Sequence, residues 1–228
     1  MSIADDARRK VVLDRIHAAL GTTGADRERH AVVERRLHRH PRGTVPARAA
    51  ASHEQRIALF TEMLSRQGAD VKRVGTGKEA VAAIASYLGN CNLPPRLRLG
   101  RDPVLQALPW REAWDIERNF GPAEAADGAT LSRAIAGAAE TGTLVLVSGP
   151  DNPTSLNFLP EAHTVLIAAS DIAGSYEEVW DRLRALYGEG QLPRTVNLIS
   201  GPSRTADIEQ TIVRGAHGPR RLQVLILG

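Results

Sequence analysis

Four short, almost wholly apolar runs constrain what this chain can fold into: LVLV within Thr143–Val147, TVLIA within His163–Ala168, VNLI within Arg194–Ile199 and VLIL within Leu222–Leu227. A strand with one wet face alternates apolar and polar residues, whereas runs like these need cover on both faces. Between them lie a helical pattern at Ser175–Tyr187 and a second, helix-like one at Ser203–Val213. Apolar strands separated by helices describe central parallel strands. The expected fold class is α/β: a three-layer α/β/α sandwich with a mainly parallel sheet.

Upstream, residues 3–20 read as an amphipathic helix stopped by Gly21, and RHPRGTVPARAA (39–50) reads as a linker. Helical spacing returns from Ser52 to Gln67, followed by a strand at Ala69–Val74 and a helix ending at Gly89-Asn90. Pro95–Leu99 reads as a strand, and Leu105–Glu117 is of open type, with Trp110 and Trp114. Residues 122–139 are alanine-rich, which favours helix, yet ATLSRA also reads as a strand. The expected organisation is a leading helix and linker, 1–50, before an α/β domain, 51–228.

Charge is uneven along the chain. Residues 1–56 hold 12 Lys and Arg against 7 Asp and Glu, a balance of +5, and residues 57–228 hold 17 against 19, or −2. In the basic segment cations alternate with acids and no aromatic residue stands ready to stack on a base, which argues against nucleic acid. A solvated helical face or a surface docking an acidic partner are the readings left. No apolar run approaches the ~20 residues that span a bilayer, and the N-terminus lacks a secretory pattern. Membrane insertion is not expected, and a cytoplasmic protein is. One cysteine, Cys91, excludes an internal disulfide framework and a cysteine-held iron–sulfur cluster bound by this chain alone.

Two of the apolar runs end alike, in TLVLVSGPDNP (143–153) and NLISGPSRT (197–205). Ligands of open parallel sheets gather where strands end and helices begin. Both Ser-Gly-Pro loops are therefore expected on one rim, as one pocket lip with Arg204 facing inwards. Candidate ligand-binding residues are Ser148, Gly149, Asp151 and Asn152 in the first loop, and Ser200, Gly201, Ser203, Arg204, Thr205 and Asp207 in the second. Glycine allows close approach, hydroxyls and helix-start N–H groups suit an anion, and the Arg204 fork fits a carboxylate or phosphate. The plainer reading is of tight turns and ordinary helix caps. Neither loop is a phosphate-binding or dinucleotide fingerprint, and Gly75-Thr76-Gly77 lacks the rest of one.

Glu140-Thr141-Gly142-Thr143 forms a third cluster. Glu140 is the candidate nucleophile or base, with Thr141 and Gly142 as candidate ligand contacts; a structural glycine turn is the other reading. His163 opens a buried strand and reads as a satisfied half-core residue, while His217 either caps a helix or reaches the loop face. No metal-ligand spacing is present, so no metal site is expected.

The blocks AAETGTLVLVSGPDNP (138–153) and NLISGPSRTADIEQTIVRGAHGPRRLQVLIL (197–227) resemble the lactate utilisation protein C family of bacteria, whose members carry a LUD domain. The similarity extends over residues 58–228. It implies a fold akin to that of sugar-phosphate isomerases and CoA transferases. It also implies a role, with two partner proteins, in oxidising L-lactate to pyruvate. In such a system the iron–sulfur clusters belong to the partner subunits and this chain binds no cofactor alone. A small anionic metabolite is the implied ligand. The alternative is a stand-alone isomerase- or transferase-like enzyme that binds a phosphorylated metabolite or a CoA ester through Glu140.

Overall fold

The computed structural model describes residues 3–22, 26–112, 116–206 and 212–228. Two compact units divide the chain, Met1–Gly43 and Thr44–Gly228. The first holds helices α1 (Ile3–Leu20) and α2 (Arg27–Arg39), and Asp26 caps α2 by accepting the Arg29 N–H at 3.1 Å. No described helix is long and apolar enough to cross a membrane.

The second unit begins with α3 (His53–Arg66), whose start is a capping box in which Ser52 N–H donates to Gln55 Oε1 at 3.0 Å. There follow β1 (Asp70–Val74), α4 (Gly77–Asn90), β2 (Arg96–Leu99) and the single turn α5 (Pro103–Gln106). Next come β3 (Glu117–Phe120), β4 (Ala129–Arg133), β5 (Ala136–Ala138), β6 (Thr143–Val147), β7 (Ala162–Ala168) and β8 (Ile172–Ala173). The chain closes with α6 (Tyr176–Tyr187), β9 (Val196–Ile199), β10 (Arg204–Ala206), β11 (Ile212–Arg214) and β12 (Arg221–Leu227).

A six-stranded sheet in the order β1-β12-β7-β4-β2-β3, parallel throughout, forms the centre. On one face α4 packs Val81, Ile84 and Leu88 into a core with Leu97, Leu131, Leu166 and Leu225. On the other, Ile57, Phe60 and Leu64 of α3 meet Val165, Ile167, Val224 and Ile226. A mostly parallel sheet with helices on both sides is the α/β architecture that the apolar runs predict.

Two of those runs lie elsewhere. LVLV (β6) and VNLI (β9) belong to a four-stranded sheet of order β8-β5-β6-β9, in which β6 is antiparallel to both its neighbours. β6 is covered on both faces for a different reason, whereas β9 leaves Leu198 46% exposed. Leu144 and Leu146 share the core with α3 and the parallel sheet, while Val145 packs outward on Val179 and Leu183 of α6. Continuous apolarity says nothing of strand direction, and in β9 it does not report cover on two sides either.

The alanine-rich stretch resolves into strands β4 and β5, because tertiary burial overrides the helical preference of alanine. The Leu105–Glu117 stretch contributes the last part of α5 and a short turn at Trp110–Glu112, and β3 starts at Glu117; Trp114 lies outside the described residues. The expected helix at Ser203–Val213 is corrected at both its ends; residues 207–211 lie outside the described residues. Arg204–Ala206 and Ile212–Arg214 instead pair as an antiparallel hairpin, with Thr205 opposite Val213. β-branched Thr205, Ile212 and Val213 suit strands, and Ser203 is tied at both ends: its N–H donates to Pro219 O at 2.8 Å and its carbonyl accepts from Gly215 N–H at 3.1 Å.

Phe60 is fully buried, whereas Phe120 on the edge strand β3 is 45% exposed. Phe60→Ala is expected to cost about 3–5 kcal/mol and Phe120→Ala less than about 1 kcal/mol, measured by urea unfolding.

Candidate functional site

Strand direction decides where the two Ser-Gly-Pro loops lie. In the antiparallel β6–β9 ladder Val147 faces Val196 and Leu144 faces Ile199. The loop after β6 therefore leaves where β9 begins: Ser148 N–H donates to Thr195 O, and Thr195 N–H donates to Ser148 Oγ, both at 2.9 Å. The loop after β9 leaves at the other end, where Ser200 Oγ is 2.7 Å from Thr143 Oγ1. From Thr195 to Ser200 the strand advances roughly 17 Å, at about 3.4 Å per residue. The loops do not share a rim. The single pocket lip expected from parallel strands is thereby corrected.

The first loop is a closed turn. Gly149 and Asn152 exchange backbone hydrogen bonds at 3.2 and 3.3 Å, and Asn152 Nδ2 donates to Val147 O at 3.2 Å. Asp151 turns its side chain to solvent and presses its carbonyl on Gly100, where a Cβ would come within 1.9 Å of that oxygen. These contacts make the loop a folding device.

The turn before β6 comes to the other end, beside Ser200, because β5 and β6 form a hairpin. Gly142 adopts φ +64° against α3, and a Cβ there would lie 2.7 Å from Leu64 N. Four hydroxyls gather next to it. Thr143 Oγ1 lies 2.7 Å from Thr141 Oγ1, 2.6 Å from Tyr176 Oη and 2.7 Å from Ser200 Oγ. Tyr176 was not singled out in the sequence, since its own stretch shows only a helix start.

Glu140, 6% exposed, accepts the Tyr176 backbone N–H at 2.7 Å, the first N–H of α6, and its own N–H donates to Gly174 O at 3.0 Å. A carboxylate there complements the positive end of the helix. The geometry thus gives Glu140 a helix-anchoring contact. Glu140→Ala is expected to destabilise the fold by about 1–3 kcal/mol in urea unfolding, with Glu140→Gln recovering part of that.

The second loop borders a pocket of about 260 Å³ at the carboxyl end of β9 and the amino ends of β7 and β12. Ser200, Gly201, Pro202, Ser203 and Arg204 form one side, and His217, Gly218 and Pro219 another. Arg204 Nη2 donates to Gln67 O, the carbonyl that ends α3, which holds the guanidinium on the rim. Thr205 lies on β10 beyond the lining, and Asp207 lies outside the described residues. With strand β10 rather than a helix starting at Arg204, no helix N-terminus among the described residues follows Ser203 at this pocket.

Asn157 and His163 also line the pocket, and both are 1% exposed. Asn157 Oδ1 accepts from Ser132 Oγ at 3.2 Å, while its Nδ2 has no partner. Neither ring nitrogen of His163 has one. His163 is buried as its strand pattern predicts, and the described protein groups offer its ring no hydrogen-bond partner. Its strand pattern gives its burial and cannot show which neighbours the fold supplies. Among the described residues no group of three His, Cys, Asp or Glu is placed to hold a metal ion.

Burial lowers the pKa of His163 from 6.5 to about 3. The unfolded chain takes up this proton near pH 6.5, so between there and pH 3 it binds more protons than the folded chain, and stability falls as pH falls. From pH 7 to pH 5 the loss from this residue is about 2 kcal/mol. His163→Gln removes that component, so its urea midpoint should drop less between these pH values than that of the unmodified protein.

The fold and pocket define an α/β protein with a parallel core sheet, a smaller sheet laid on it and a small cavity of mixed polar and apolar lining at their common edge. The LUD domain family model matches residues 57–227, and the chain belongs to the LUD domain family. An uncharacterised protein of Neisseria meningitidis serogroup B is 40% identical over 99 residues, covering 43% of this chain and 42% of that protein. Lactate utilization protein C of Shouchella clausii is 37% identical over 114 residues, covering 50% and 49%. Lactate utilization protein C of Deinococcus radiodurans is 31% identical over 192 residues, covering 80% and 84%. The matched part of the chain thus spans about half the length, or less, of the first two relatives and most of the third. A crystal structure of a DUF162 family protein from Deinococcus radiodurans shares the fold, with a TM-score of 0.58 at 23% identity, covering 78% of this chain and 99% of that one.

Proposed function

We propose that this chain acts in lactate utilisation as a subunit without an iron–sulfur cluster of its own, and that it holds a small carboxylate in the pocket at the end of β9. The observation that carries this reading is that pocket, bounded by Ser200–Arg204 and His217, in a chain whose relatives are named for lactate utilisation. Its volume of about 260 Å³ falls below the range of about 300–1,000 Å³ usual for drug-sized ligands and suits a molecule as small as lactate or pyruvate. Ser200 and Ser203 offer hydroxyl donors to a carboxylate, and Arg204 offers charge from a fork steadied by Gln67.

An iron–sulfur cluster does not fit this chain. Clusters are held by several thiolates, and the sequence contains one cysteine, the half-buried Cys91. On this reading the electrons of lactate oxidation leave through clusters in partner proteins. The basic leading segment is then the part that docks an acidic partner surface.

One observation favours the alternative of a larger ligand. A more open depression of about 820 Å³ adjoins the pocket, sharing Phe158, His217 and Gly218 and adding Arg220, and would admit the remainder of a CoA ester or a sugar phosphate. A thermal-shift screen with L-lactate, pyruvate, sugar phosphates, nucleotides and CoA separates the two. A ligand at ~100 times its dissociation constant adds about 2.7 kcal/mol of stability. L-lactate or pyruvate is expected to stabilise the chain, with Arg204→Ala weakening binding by about 1.5–3 kcal/mol. Stabilisation by CoA or sugar phosphates alone would reject the small-carboxylate reading.

A further inference from the structure

We propose that His163 and Asn157 form a recognition pair at the base of the pocket that reads an uncharged oxygen of the ligand, the 2-hydroxyl or 2-oxo group of a small carboxylic acid. This rests on the small-carboxylate reading above and assigns the atoms that would tell lactate and pyruvate from acids lacking that oxygen.

His163 lies on the central strand β7, between Thr130 of β4 and Leu222 of β12 in register. An imidazole placed there loses all contact with water. Buried polar groups almost always find partners, so an imidazole with no partner in the protein needs one from outside it, a ligand or a water. Three of the five orphaned side-chain polar atoms among the described residues belong to His163 and Asn157. Both residues line the same cavity.

The chemistry of the missing partner follows from what the pair offers. A neutral imidazole has one donor nitrogen and one acceptor nitrogen. Asn157 adds a donor only, because its carbonyl oxygen is engaged by Ser132 Oγ. A carboxylate accepts from the same donors, but its charge would be buried against a ring that burial keeps neutral, a cost that an uncharged oxygen avoids. A hydroxyl instead donates to the acceptor nitrogen of that ring and accepts from the Asn157 amide. A carbonyl accepts from the imidazole N–H and from the same amide once the ring changes tautomer. The pair therefore suits both a 2-hydroxy acid and its 2-oxo counterpart, and leaves the carboxylate to Ser200, Ser203 and Arg204. A trapped water satisfies the same atoms, and the test must distinguish it.

The experiment uses the full chain with 15N-labelled histidine rings and matched acids: L-lactate and pyruvate against propionate, and glycolate against acetate. A sugar phosphate and its deoxy analogue form a further pair. The His163 ring nitrogens, assigned with His163→Gln, are expected to shift with the acids that carry the 2-oxygen and to stay in place with those that lack it. Affinity for L-lactate should exceed that for propionate about ten-fold, and His163→Leu should abolish the preference while propionate binding holds. Equal affinity within each pair, or ring signals that no probe in any series moves, would overturn the proposal and leave a water-satisfied core histidine. If the acids do not bind but the sugar phosphate shifts His163 and its deoxy analogue does not, the small-carboxylate reading fails and the oxygen-reading pair stands.

Discussion

The antiparallel pairing of β6 with β5 and β9 is the constraint on which the rest of this structure depends. It draws two apolar strands out of the parallel sheet and lays them over it, so that one core serves both sheets and α3. It also sorts the loops. The turn at Glu140–Thr143 and the loop at Ser200–Arg204 meet at one end, while Ser148–Asn152 is sent to the other. The cavity lies where the second sheet's end overhangs the amino edge of the first. In simple open parallel sheets that edge is the one away from ligands.

Around the cavity the polar groups fall into two kinds. The hydroxyls of Thr141, Thr143 and Tyr176 contact one another over 2.6–3.0 Å, and Ser200 Oγ meets only Thr143, which leaves it capacity for a further partner. The ring nitrogens of His163 and the amide nitrogen of Asn157 have no partner in the protein. Three of the five such atoms among the described residues belong to residues that line the pocket, so most of the unpartnered capacity lies there. Membership of the LUD domain family and relatives named for lactate utilisation give that location a chemical context.

Most helices and strands were legible because periodicity and capping are local. α3, α4, α6 and the apolar strands fall where spacing and terminal residues place them. What could not be read was pairing. LVLV carries the same pattern whether it runs parallel between helices or antiparallel between a sheet and α6. The Ser203–Val213 stretch follows a cap-like Pro-Ser with apolar spacing, and the contacts of Ser203 with Gly215 and Pro219 that tie down β10 come from residues just beyond that stretch, where local spacing gives no sign of them. For the candidate site, Ser200, Gly201, Ser203 and Arg204 were visible as a loop after a strand. Asn157 and His163 were hidden, because one lies in an irregular stretch and the other resembles ordinary core.

The contact between Asp151 and Gly100 carries a lesson about tolerance to sequence drift. Asp151 makes it with a main-chain oxygen that every amino acid possesses, while its carboxylate faces water. Position 151 is thus chemically permissive, even though its charge draws the eye of anyone scanning for function. Position 100 is closed to any residue larger than glycine. The loop is guarded by its least conspicuous neighbour.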